Sequence, residues 1–287
     1  MMLTFEYDTH KTMDAVTAAR RRGLPVPPDI DATRALHDTV TAAAHMPRPD
    51  RPTVEDIPDT PEQLAALIAE TAHAHRIAES HHQVASLYAE PIARKYNALV
   101  RAAVPGWIVS LQPEFDKHLK VIRRGAAKLP PTDALIEERV DWNDPAVSAA
   151  WELAQAVAPK LDQIVHDRRT MAAAVGIDGG RDWEFYTVAA FPDTTHPDSE
   201  GQLLAGHWRT QYAPIMQEWQ ALRQRPVARW VHLARAEGIT LQLARPNEVR
   251  ERAVNVERWR EANRMISPAS GNGRNAALRG VQAALRG

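Results

Sequence analysis

Three side chains near the middle of the N-terminal half are the first candidates for chemistry. His75, Glu79 and His82 stand at i, i+4 and i+7, a narrow arc of one helix face. Two imidazoles and a carboxylate about one turn apart can ligate zinc or iron. The same stretch holds Glu70-x-x-His73 and Glu79-x-x-His82, the spacing used in di-metal helical bundles. Those two pairs lie about half a turn out of phase, so they cannot share one cluster. The set to test as a metal site is therefore His75, Glu79 and His82, and its plain alternative is a solvated, His-rich helix face. Asp162 and His166 form a second pair at i, i+4, in which a carboxylate could orient an imidazole as a general base. No nucleophile motif accompanies them: there is no G-x-S-x-G, and Ser199 sits in a polar loop. Phosphate-cradling glycine motifs are absent as well.

Other candidates concern contacts. Trp107, Ile108, Val109 and Leu111 follow Pro105-Gly106, a helix-stopping dipeptide. They read as the apolar tip of a turn available to a partner. Near the C-terminus, Arg274, Arg279 and Arg286 belong to a basic segment after the spacer Ser267–Gly273. That tail could meet a polyanion or an acidic neighbour. Arg250, Arg252, Arg258, Arg260 and Arg264 are instead interleaved with glutamates, as on a salt-bridged helix surface.

These residues need elements to hold them. Leu3, Phe5 and Tyr7 alternate with polar residues and predict a short strand. A short helix then ends at Arg20-Arg21-Arg22-Gly23, and a second, capped by Asp29 or Asp31, follows Pro27-Pro28. Five prolines between Met46 and Pro61 predict an extended arm. Thr60-Pro61 opens a helix whose stripe runs through Leu67, Thr71, Ala74, Ala78, His81, Ala85, Tyr88 and Ile92. It continues through Tyr96 and Leu99 to the Pro105-Gly106 stop. Phe115, Leu119, Ile122 and Ala126 mark a returning helix. The segment 61–130 thus reads as a helical hairpin with an apolar tip. Asn143 or Asp144 with Pro145 starts a helix carrying Trp151, Ala154, Leu161 and Ile164. Residues 183–191 read as an aromatic strand and 239–244 as a third strand. Helices carrying Trp208, Trp219, Trp230 and Trp259 complete the body.

The expected organisation is mainly α (α+β). Residues 1–60 form an N-terminal strand, short helices and arm, 61–130 the hairpin, 131–266 a mixed helical body with a small sheet of about three strands, and 267–287 the basic tail. The chain has 287 residues, a formal charge of −1, 44% hydrophobic and 25% charged residues, and no cysteine. That composition excludes a mostly disordered chain, disulfides and thiolate chemistry. No 18-residue apolar run exists, so no membrane span is expected, and no signal peptide is evident at the N-terminus. Cytoplasmic synthesis without secretion is therefore expected. Charge is polarised. Asp50 to Glu90 is acidic, whereas the part from Leu203 onward carries 14 Arg, no Lys and 6 acids. A polarised chain can pair with copies of itself. The Pro-rich arm, the hairpin tip and the basic tail are three extensions that cost chain entropy if they bind nothing, so the expected function is a structural subunit of a larger protein assembly, with other copies or other subunits as partners. The abundance of Ala, Arg and Pro, all with GC-rich codons, adds a phage virion or head-assembly component as the specific form. A metal-dependent helical enzyme and a nucleic-acid-binding protein acting through the Arg-rich C-terminal region are the alternatives. No cofactor is expected on the structural reading.

Overall fold

A computed structural model of the chain describes residues 5–131, 140–176, 183–266 and 274–286. The protein is mainly α with a small antiparallel sheet. It divides into two compact units, Met1–Ala103 and Val104–Gly287.

The first unit is built from α1 (Phe5–Arg21), α2 (Pro28–Ala44), a short 3-10 turn (Val54–Asp56) and the first part of α3 (Pro61–Ala126). The strand expected at residues 3–7 is corrected: Phe5, Glu6 and Tyr7 are already helical. Thr9, Thr12, Val16 and Ala19 are buried at helical spacing. That stripe, some three turns long, outweighs a five-residue alternation. The helix stop at Gly23 forms as expected. Gly23 has φ 65, its N–H donates to Arg20 O, and Leu24 N–H donates to Ala19 O, each at 2.9 Å. Both bonds together satisfy carbonyls that the helix end would leave open. α2 starts on Pro28 without a side-chain cap, and Asp31 instead pairs with Arg20. The core of the unit includes Val16, Ile30, Tyr96 and Val100, and Thr12 Oγ1 donates to Asn97 Oδ1 at 2.6 Å.

The hairpin expected over 61–130 is replaced by one helix, α3, that runs through Pro91, Pro105, Gly106 and Pro113. A proline removes one helical donor and strains one turn. Against that, Val104, Ile108, Leu111, Phe115, Leu119 and Ile122 are all buried at steps of four and three, with Trp107 buried beside them. Burial of that many large side chains exceeds the cost of Pro105 and Pro113, the two prolines within that row.

The second unit holds the remainder of α3 with α4 (Pro145–Ala173), α5 (Trp183–Val188), α6 (Ser199–Leu204), α7 (Ala213–Ala221), α8 (Pro226–Arg235), α9 (Pro246–Ile266) and α10 (Arg274–Arg286). A π turn, Trp208–Tyr212, leads into α7. Asp144 caps α4 as expected, accepting from Ala146 N at 2.8 Å and Val147 N at 3.4 Å. Two strands, β1 (Ala189–Ala190) and β2 (Thr240–Leu241), pair antiparallel with Ala189 opposite Leu241. Three strands were expected; the aromatic run from Trp183 is helical up to Val188 and only its end pairs. Arg252 of α9 pins this corner, donating to the carbonyls of Tyr186 and Gln242.

The end of α3 is closed by a side chain from α8. Arg235 donates to the carbonyls of Ala126, Leu129 and Pro130 at 2.5–3.1 Å. These are carbonyls that a helix end and the residues after it leave without a backbone donor.

Candidate functional site

The His/Glu face of α3 exists, but its three side chains do separate work within the first unit. Glu79 accepts from the Arg48 guanidinium at 2.6 Å. His82 Nδ1 lies 2.9 Å from the carbonyl of Ala44, the last residue of α2. A carbonyl can only accept, so His82 carries its proton on Nδ1 in this bond. His75 lines an open groove of about 590 Å³ between the proline-rich arm and the start of α3. Arm residues Asp50, Pro52 and Ile57 face helix residues Leu64 and Ile68 across it. Among the described residues, no three His, Asp or Glu side chains gather so as to hold a metal ion. The arrangement expected of His75, Glu79 and His82 is thus corrected. A helix arc aligns side chains in angle, but the chain before α3 draws Glu79 and His82 to different partners.

The opposite side of α3 is the more informative surface. Between Pro61 and Pro91 the helix buries only Ala78 and Ala85 among its apolar residues. Larger side chains face outward instead: Ile77 is 36% exposed, Val84 52%, Leu87 72% and Tyr88 58%. The expected inner stripe is right at Ala78 and Ala85, whereas His81 and Tyr88 lie on the outward face. Glu70, Ile77, Val84 and Pro91 recur every seven residues there, and Ala74, His81, Tyr88 and Lys95 form the companion series. Steps of four and three repeated in this way are the spacing a helix packed lengthwise on another helix would use.

The contact residues expected at the hairpin tip are relocated. Trp107, Ile108 and Leu111 are 3%, 1% and 1% exposed and belong to the core of the second unit, leaving Val109 as the exposed member. In the basic tail, Val281 and Leu285 are buried and α10 packs against α9. Gly280 of α10 faces Met265 of α9. Arg279 is exposed, whereas the side chains of Arg274 and Arg286 lie outside the described residues, as does the spacer 267–273.

The second unit contains one charged cluster that the sequence pattern did not single out. Arg229 of α8 is buried, with its guanidinium 3.6 Å above the Trp219 ring. It pairs with Glu184 at 2.5 Å and approaches Asp162 at 3.9 Å. Trp230 Nε1–H donates to Asp162 Oδ1 at 2.8 Å. Burial raises the Asp162 pKa above the usual carboxylate range, against the pull of the indole donor and of Arg229. Asp162 therefore faces α8 rather than His166, which is exposed on the helix surface. Both carboxylates are engaged by one guanidinium, so the cluster ties α4, α5 and α8 together and offers no free base. Only the i, i+4 spacing of Asp162 and His166 was visible beforehand; the residues that join Asp162 in the cluster lie 22 to 68 positions away.

No protein-family model matches the chain, and no curated protein or solved structure is significantly similar to it. Among the described residues, no helix is long and apolar enough to cross a membrane.

Proposed function

We propose that the chain is a structural subunit of a larger protein assembly and acts through protein–protein contacts. One observation carries this reading: the outward face of α3 presents Ile77, Val84, Leu87 and Tyr88 to solvent while the inward face of the same stretch buries little beyond alanine. A helix covered so thinly gains little from its own unit, because stabilisation scales with buried apolar area. An exposed apolar seam rimmed by charge is the usual mark of a contact surface. The particular assembly proposed is a particle of the virion or head-assembly kind, a detail supported only by the abundance of Ala, Arg and Pro, residues with GC-rich codons.

The test is native mass. In a lysate of the cells that make it, the tagged chain should elute far above its own 32.0 kDa. The Val84→Asp/Leu87→Asp variant, with its helical circular dichroism preserved, should fall back to monomer size. A wild-type chain that elutes as a monomer in both lysate and purified form contradicts the proposal.

A further inference from the structure

We infer that the outward face of α3 pairs with the same face of a second copy of this chain, antiparallel, about a two-fold axis passing between His82 and Gln83. The inference rests on the reading of α3 as a contact surface and names the partner.

The argument is the order of side chains along the seam. A two-fold axis demands that residue i meet residue j and residue j meet residue i. With the axis between positions 82 and 83, the two companion series meet residue for residue, every member exposed except the half-buried Ala74. Ile77 lies opposite the second copy's Tyr88, and His81 opposite its Val84. Ala74 then lies opposite Pro91, a small side chain where the ring needs room. Beyond them, Glu70 meets Lys95, an acid against a base, and symmetry makes this pair twice. Glu70 and Lys95 are both exposed and, among the described residues, neither makes an ion pair within the chain. The alternating series are those that meet across an antiparallel helix pair. A parallel, in-register pair would set Glu70 against Glu70 and Lys95 against Lys95, which opposes association. From Glu70 to Lys95 the seam is about 38 Å long by helix rise, roughly three and a half heptads, enough for a specific two-helix contact.

The absence of cysteine gives a clean background for testing orientation. The purified full chain, measured by sedimentation equilibrium at micromolar concentration, should have twice the 32.0 kDa chain mass. Glu70→Lys and Lys95→Glu should each weaken dimerisation roughly tenfold, by exchanging attraction for repulsion at two symmetric places. The double variant should restore it. An equimolar mixture of Ile77→Cys and Tyr88→Cys chains should form a disulfide-linked dimer on oxidation, and neither variant should do so alone. Identical positions in the antiparallel pair stand about 16 Å apart along the axis, beyond disulfide reach. Ready cross-linking of either variant with itself indicates a parallel pair and overturns the inference. So does a double charge variant no better than the singles. A purified chain that is monomeric, while the lysate chain sits in a larger assembly, overturns self-pairing and leaves the assembly reading standing. Monomers in both settings remove both.

Discussion

Asp162 shows what a single side chain can report. Its folded-state pKa is raised, so the folded protein holds that proton more tightly than the unfolded chain does. The contribution of this group to stability therefore falls as pH rises from the ordinary carboxylate value through the folded-state value, and is constant above both. Asp162→Asn keeps an oxygen acceptor for Trp230 Nε1–H and removes the charge. Relative to wild type, this variant should gain stability on going from about pH 3 to about pH 7, read as urea midpoints at the two values. A variant that instead loses ground toward neutrality means that the attraction to Arg229 outweighs burial. Arg229 is the other half of the test. Arg229→Met leaves Glu184 and Asp162 without their shared cation, and should cost on the order of 2–3 kcal/mol, below the value for a fully enclosed pair because both carboxylates keep some solvent. Thermal or urea unfolding would measure it.

At the scale of elements, α3 is where reading the sequence and seeing the structure differ most instructively. The helical spacing of Val104, Trp107, Ile108, Leu111 and Phe115 is unbroken in the sequence, yet Pro105-Gly106 suggests a stop. A local breaker signal lost to a long row of buried side chains, and the weight of that row is known only once its tertiary partners, such as Trp230 against Phe115, are in place. Gly106 then sits in a helix with open space around its missing Cβ. Gly106→Ala should raise stability by about 0.5–1 kcal/mol. Loss of stability would point to a turn there after all. The capping of α3 by Arg235 was invisible in the sequence, because the donor lies some 105 positions from its acceptors. Arg235→Met, which retains much of the aliphatic length, should cost on the order of 2 kcal/mol by leaving those carbonyls poorly satisfied. Local signals fared better where donor and acceptor are neighbours. The Gly23 stop, the Asp144 cap and the Thr60 start, whose hydroxyl accepts from Gln63 N–H at 3.3 Å, all stand as the sequence implies. The His-rich arc was legible as an arc, but its use was not. Arg48 and the Ala44 carbonyl, 31 and 38 positions from Glu79 and His82, decide what those side chains touch.

For the molecule as a whole, the apolar residues that matter are those left outside. The second unit has its own core, with Trp230 and Trp259 fully buried, but it leaves Trp142 47% exposed and Val109, Leu153, Leu204 and Val254 more than half exposed. The first unit leaves Leu36, Ile57, Ile68, Val84, Leu87 and Tyr88 more than half exposed. Exposed apolar residues thus occur in both units; the proposed contact surface is the outward seam of α3 because Val84, Leu87 and Tyr88 gather there on one helix. Burial also reverses the weight given to the apolar segment at 107–111 and to the basic tail, since buried side chains from each belong to the second unit's interior. The decisive measurement is the mass of the purified chain at micromolar concentration, wild type beside Val84→Asp/Leu87→Asp. The account predicts a dimer for the first and a folded monomer for the second. A wild-type monomer with the same mass as the variant, in the lysate as well as after purification, would mean that the seam meets no protein.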